Sequence, residues 1–479
     1  MAETDQTDVV KRSRKSLIWV AAESGANALL LLVTMLVMAR LVGPAAFGAA
    51  SVAIGLIQLT NIFVEYLFHD AIILHEDIDD AILNGLFVIV QIIALCFLAI
   101  SLAAALWAPV QIAQIAWLSF GAACSLPFSG MVGIWNARLR RSFHYRDVAK
   151  ASICGRLAGA VLGVSAALYG LDAWSLVVQF TGSVAVNGLA LSPAVDWRPT
   201  LRITRRIVGL LRFALPYALR NSIVAVRLQG FSIICAALLG VVDVGYINAA
   251  FRIINTPQTI LSVTLANFML PAFSRSRQSS TAIANDIQFN NRIALLTTLP
   301  LYAGLAVTAG ELVPLVLGDS WSPSIPVVQL LALGAIVAAV RFPGSVLLRA
   351  HGVVKFSFYN ALFQLVVTFG ALLVFRPATP VGTVLCWIAP TLVPLAVTSS
   401  IVQRATEIPV ASQLNGVFPI LFSTCVMMTM VKLTDQFVPL DSHLSRLALE
   451  VAIGMASFPV PIFLLDKPTR SYLRQRLSF

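Results

Sequence analysis

The chain has 479 residues, 58% hydrophobic and only 11% charged, with a mean hydropathy of +0.86 and a formal net charge of +11. Soluble domains carry about 25% charged residues, so this composition excludes a water-soluble globule. Apolar runs of about 17–25 residues recur throughout, long enough to cross a bilayer as helices and too long for the strands of a β-barrel.

The N-terminus begins with a polar leader and Lys11-Arg12-Ser13-Arg14-Lys15, followed by a long apolar run. That run exceeds a signal-peptide core and lacks a small-residue cleavage site, so an uncleaved first span is expected at 17–40. Further spans are expected at 47–68, 82–108, 113–136, 148–170, 174–194, 208–239, 244–273, 289–317, 324–350, 356–375, 381–403, 417–437 and 444–465, fourteen in all. The acidic loop Glu76-Asp77-Ile78-Asp79-Asp80 reads either as a solvated connection or as a docking point for a cytoplasmic partner. Pro127, Pro216, Pro257, Pro300, Pro343 and Pro390 fall within spans, where a proline removes a backbone donor and can kink the helix. Cys96, Cys124, Cys154, Cys235, Cys386 and Cys425 all lie in apolar segments without a CxxC pair, so packing roles are expected of them.

Tight turns at Gly43-Pro44 and Gly240-Val241 separate the first span from the second and the seventh from the eighth. Both turns carry glycines five residues apart: Gly43 and Gly48, then Gly240 and Gly245. Six spans lie between them, so the two copies share one orientation, as in a parallel transporter repeat. The expected fold is an all-α polytopic membrane protein of about fourteen helices. It comprises two six-helix bundles (17–194 and 208–405) around a central cavity, joined by a cytoplasmic linker at 195–207. Two additional helices occupy 406–466, and cytoplasmic tails cover 1–16 and 467–479.

Basic residues test this topology. Lys11 to Lys15, Arg138 to Lys150, Arg198 to Arg212, Arg275, Arg277, Arg292, Arg349, Lys355, Arg404 and the tail residues Lys467 to Arg476 fall on one side. The other side receives little beyond Arg40 and Arg376. The positive-inside rule therefore places both termini in the cytoplasm, and the net charge is topological, with no nucleic-acid partner expected.

Arg220 and Arg227 lie inside the seventh span. An ionised side chain at the bilayer centre costs roughly 2.5–3.5 kcal/mol on insertion scales, and arginine keeps its proton. Seven residues is about two helical turns, so both guanidiniums share a face and are expected in a wet, enclosed cavity. Arg252 and Arg341, the latter just before Pro343, extend this cationic set, which points to an anionic cargo. Tyr217 and Asn221 are expected beside Arg220, with Gln58, Asn61 and Gln229 as further polar groups. The competing reading is that the arginines form buried ion pairs with Glu23, Glu65 or Glu450. Glu65 and Glu23 are also the candidates for proton or ion coupling. Arg156, Lys432, Glu311 and Arg446 lie toward span ends, as snorkelling or interfacial residues do. His69 and Asp70 are neighbours without a site around them. No phosphate loop, zinc spacing or nucleophile–base arrangement appears, and no cofactor or metal is expected. No connection exceeds about twenty residues, so there is no room for a soluble catalytic domain.

Several stretches carry a resemblance. Arg40-Leu41-Val42-Gly43-Pro44-Ala45-Ala46-Phe47-Gly48 resembles the "R-L-L-G-P-x-x-F-G" signature of bacterial polysaccharide transporters, in the multidrug/oligosaccharidyl-lipid/polysaccharide exporter superfamily. Phe213-Ala214-Leu215-Pro216, Leu239-Gly240, Gly245-Tyr246, Phe251-Arg252 and Leu270-Pro271-Ala272-Phe273-Ser274-Arg275 are similar to its central block. Glu311-Leu312-Val313-Pro314-Leu315-Val316-Leu317-Gly318-Asp319-Ser320-Trp321 resembles its "L-V-P-L-L-F-G-x-x-W" stretch. The chain departs from the pattern at Leu228-Gln229-Gly230, where an acidic residue is common, and at Ala46. The resemblance implies an inner-membrane flippase, moving undecaprenyl-diphosphate-linked oligosaccharide by alternating access for exopolysaccharide or lipopolysaccharide assembly. Its expected partners are that polyprenyl-diphosphate-linked oligosaccharide, membrane lipids, and polysaccharide polymerase and export proteins. The alternatives are a multidrug or cation antiporter of the same superfamily and an integral-membrane polysaccharide polymerase.

Overall fold

The computed structural model describes residues 2–74, 78–202, 204, 207–275, 280–351, 353–410, 417–437 and 442–465, with the side chains of 2–18 and 215–221 among those outside the description. Every regular element among the described residues is helical.

Helix α1, Ala2–Asn61, is broken at Gly43, whose φ of 76° and ψ of 168° leave the helical region. Glycine tolerates positive φ, and Pro44 disfavours a helical residue before it while starting the next helix well. The first and second expected spans are therefore two arms about one residue. The second arm runs through a π-helical turn, Ile62–Tyr66, into α2, Leu67–Leu74. Helix α3, Asp80–Trp107, is capped by Asp79, which accepts from the Ile82 amide at 2.8 Å. Asp80 pairs with Arg138 at 2.7 Å. Half of the acidic loop thus has a structural role, whereas Glu76 and Asp77 lie outside the described residues.

The fourth expected span is two helices, α4 (Val110–Ala123) and α5 (Leu126–Arg141), divided just before Pro127. Helices α6 (Tyr145–Leu168) and α7 (Asp172–Leu191) pack through glycines at every fourth position. A Cβ at Gly159 would stand 1.8 Å from Ser183 Oγ, and one at Gly163 would stand 2.6 Å from Gln179 Cβ. Without a large hydrophobic gain between helices in lipid, such close backbone approach is what holds them.

After α7, Asn84 of α3 accepts from Trp197 Nε1 at 3.1 Å and from the Thr200 amide at 2.9 Å, fastening part of the expected linker to this bundle. Helix α8, Ile207–Leu239, ends at Gly240, where φ is 93° and α9, Val241–Arg275, begins. By packing, the chain divides into two compact units, Met1–Asn248 and Ala249–Phe479.

The second unit continues through α10 (Ser280–Leu317), α11 (Ile325–Ala350), α12 (Val354–Phe375) and α13 (Pro380–Thr406). It ends with α14 (Val417–Phe437), α15 (His443–Ser457) and α16 (Pro459–Leu465). Pro300, Pro343 and Pro390 all lie inside continuous helices. Twelve described helical stretches are long and apolar enough to cross a membrane, the first of them containing both arms of α1. The expected eighth span, in α9, is not among the twelve; Arg252, Asn255, Thr256 and Gln258 lower its apolarity.

Large apolar side chains such as Leu95, Val161 and Val366 stand exposed on the helices, as befits a lipid-facing surface. Cys235 is buried as a packing residue should be, but Cys96, Cys154 and Cys425 are exposed.

Candidate functional site

In the first unit, the polar residues of α1, α5, α6 and α8 converge in pairs. Asn27 donates to Ser152 Oγ at 2.8 Å, and one turn earlier Glu23 accepts from Arg140 at 3.4 Å. Glu65 lies in the π-helical turn and packs against Gly133 of α5, whose Cβ would sit 3.0 Å from Glu65 Cγ. The helix continues beyond it through α2 to Leu74. Arg140 is close enough to act electrostatically on Glu65 as well. This carboxylate–guanidinium cluster engages Arg140, which the sequence reading treats only as a topological charge.

On α8, Arg227 is half-buried and engaged in interactions of its own. Two residues later, Gln229 donates to Gln58 of α1, in the space left by Gly55. The stretch where an acidic residue was expected from the resemblance thus carries a neutral amide pair. Arg220, Tyr217 and Asn221 lie on α8 by backbone, but their side chains are outside the described residues.

Arg252 on α9 and Arg341 on α11 belong to the second unit, and both are half-buried. Arg252 has interaction partners. Arg341 Nε has no hydrogen-bond partner among the described residues, so part of its donor set is left over at membrane depth. Close by, Gln258 and Ser262 of α9 and Thr298 and Tyr302 of α10 line a small cavity of about 30 Å³, together with Phe342, the neighbour of Arg341. Tyr302 is 1% exposed, and its hydroxyl has no partner among the described residues. Sequence reasoning missed these four residues. Their signal was two polar pairs four apart, which places each pair on one helix face.

The C-terminal helices add a separate cavity of about 570 Å³ between α10, α14 and α15. Its walls are mainly Leu, Val, Met and Phe side chains, with Thr297 and Thr308 among them, and Glu450 is the one charged side chain among the described residues that line it. Beside it, Glu311 of α10 accepts from Arg446 of α15 at 2.9 Å and meets His443. Glu311 and Arg446, both expected near span ends, are therefore partners.

Residues 37–326 match the family described as "Polysaccharide biosynthesis protein". The chain is 23% identical over 464 residues to the succinoglycan biosynthesis transport protein ExoT of Rhizobium meliloti, covering 93% of this chain and 91% of that one. It is 24% identical over 360 residues to the lipopolysaccharide biosynthesis protein WzxC of Escherichia coli, covering 73% and 71%. Among solved structures, the lipid II flippase MurJ in an inward closed conformation matches with a TM-score of 0.80 at 14% identity, over 95% of this chain and 99% of that one. An inward-facing multidrug resistance transporter of the MATE family, in the MOP superfamily, matches with a TM-score of 0.52 at 14% identity, over 84% and 96%. At these identities the structural likeness establishes the fold.

Proposed function

The chain belongs to the polysaccharide biosynthesis protein family, and from that premise we propose that it is a flippase for lipid-linked oligosaccharide. In this reading the cargo is an undecaprenyl-diphosphate carrying an oligosaccharide repeat unit, moved across the bacterial inner membrane by alternating access. Both termini lie in the cytoplasm, as the distribution of basic residues favours. The product feeds exopolysaccharide or lipopolysaccharide assembly, with polymerase and export proteins downstream.

The observation that carries this reading is Arg341: a guanidinium inside a bilayer-length apolar helix, with Nε unbonded among the described residues. A planar fork of donors matches paired phosphate oxygens, and an anion supplied by cargo would satisfy what the protein leaves open. Arg252 in the same unit is proposed to handle that head group with it, and Arg220 and Arg227, with Tyr217 and Asn221 on α8, are proposed as substrate-binding residues of the first unit. The apolar cavity of the C-terminal helices offers room for part of a prenyl chain.

Efflux of a cationic drug would favour acidic residues deep in the spans, where this chain instead places Arg227, Arg252 and Arg341. Glu65 is proposed as the coupling residue. The test is reconstitution in vesicles with labelled polyprenyl-diphosphate oligosaccharide, following the sidedness of the sugar with time. Transfer above that of protein-free vesicles is expected, and none would reject the reading.

A further inference from the structure

Helix α9 is not among the described stretches long and apolar enough to cross a membrane, and Gln258 is one of its polar residues. A carboxamide turned away from water needs a partner inside the protein. Gln258 and Ser262 stand four residues apart, on one helix face. That face meets Thr298 and Tyr302 of α10, again four apart, and both pairs line the cavity of about 30 Å³, with alanines and Phe342 of α11 as its third wall.

The hydrogen bonds around this cavity are incomplete. Thr298 commits its hydroxyl proton to the Ala294 carbonyl at 2.6 Å, so its oxygen can only accept from the cavity. Tyr302 is 1% exposed, and its hydroxyl has no partner among the described residues. A phenol buried with nothing to bond is destabilising, and a ligand that bonds it removes that cost.

Size and charge decide what the cavity takes. One water requires about 10–15 Å³ of such space, so there is room for about two and for no sugar or lipid group. Among the described residues no ionised side chain lines it. A dehydrated ion would therefore lack a counter-charge, a far larger penalty than a neutral polar molecule meets. Arg341, next to Phe342 in sequence, weighs further against a cation. Water is neutral and both donor and acceptor. It can accept from Tyr302, donate to Thr298 and meet the Gln258 carboxamide, within the roughly two to four bonds of a buried water.

We propose that this cavity is a resident-water site, through which α9 keeps a polar face inside the membrane without turning it to lipid. The water links Gln258 to Tyr302 and so joins α9 to α10. It is a structural ligand of the second unit and does not depend on which cargo the chain moves.

Radiolytic footprinting of the full-length protein in lipid nanodiscs tests the site, because hydroxyl radicals formed from a bound water oxidise the ring beside it. The reference is Phe273, a ring at 0% exposure within an apolar cluster of the same unit. Tyr302 should be oxidised at least about tenfold faster than Phe273, since only Tyr302 has water against it. Oxidation of Tyr302 at the Phe273 rate overturns the proposal.

Ser262→Val removes a hydroxyl and fills the cavity with methyl groups. Tyr302 oxidation should then fall by at least about fivefold, with Phe273 unchanged. Undiminished Tyr302 oxidation also overturns the proposal, because the radicals then come from elsewhere. A variant that loses its fold would instead raise the Phe273 rate. Ala339→Val fills the same cavity from α11 and gives the same reading should Ser262→Val behave that way.

Discussion

Arg140 reaches Glu23 at 3.4 Å, joining α5 to α1, and so one of the acids available to neutralise a deep arginine already has a cation of its own. Glu65 differs, being held in a π-helical turn against Gly133. The two carboxylates should therefore separate in experiment. Glu23→Gln is expected to leave cargo movement responsive to an imposed pH gradient, with a stability loss below about 1 kcal/mol for a partly exposed pair. Glu65→Gln is expected to abolish that response. Translocation in vesicles with and without the gradient checks both, and a Glu65→Gln protein that still responds removes Glu65 from the coupling step.

Arg341 allows a test of geometry against charge. Lysine preserves the charge but presents a point donor in place of a fork. Hydrogen bonds to charged groups contribute about 1.5–3 kcal/mol, or roughly tenfold to a hundredfold in affinity. Arg341→Ala should weaken cargo binding by about that factor, with Arg341→Lys between it and the parent chain. Competition by soluble diphosphate-bearing glycan lipid measures the series; equal affinities in all three would show that Arg341 does not touch cargo.

The α6–α7 contact predicts different outcomes for two similar changes. A Cβ at Gly159 overlaps Ser183 Oγ and would stand 2.6 Å from the Gln179 carbonyl oxygen, whereas one at Gly310 meets nothing within 4 Å. Overpacking costs about 1–3 kcal/mol, while alanine exceeds glycine in a helix by about 1 kcal/mol. Gly159→Ala should lower the thermal midpoint in detergent and Gly310→Ala should raise it or leave it unchanged.

Glu311 holds the start of α15 to α10 through Arg446 and His443. Glu311→Ala should loosen α15 and speed hydrogen exchange over its first turns. The exchanged pair, Glu311→Arg with Arg446→Glu, should recover part of that protection, because the charges again oppose. Identical exchange in the single variant and the parent chain would show that the pair contributes little.

Much of the architecture was legible because bilayer-length apolar runs have few alternative solutions. Gly43-Pro44 and Gly240-Val241 were marked as turns, and positive φ at both glycines supplies the reason. The division of the fourth span before Pro127 was less legible, since the apolar run continues through the break. For the proposed site, depth in a span singled out Arg227, Arg252 and Arg341 as candidates. It did not reveal that Gln229 would find Gln58, or that Tyr302 would be buried beside Gln258, because those meetings depend on which helix faces touch. Glu311 and Arg446 are 135 positions apart, and nothing local in either span announces the pairing.

The central claim is that the cargo is selected by its diphosphate. It is tested most directly by comparing initial translocation rates of two labelled lipids in the same vesicles, one with the glycan joined through diphosphate and one with the same glycan joined directly to the polyprenol. The diphosphate lipid should cross at least about tenfold faster, as the loss of one or more charge-assisted contacts requires, and Arg341→Ala should narrow the gap. Equal rates for the two lipids in the parent protein would contradict it.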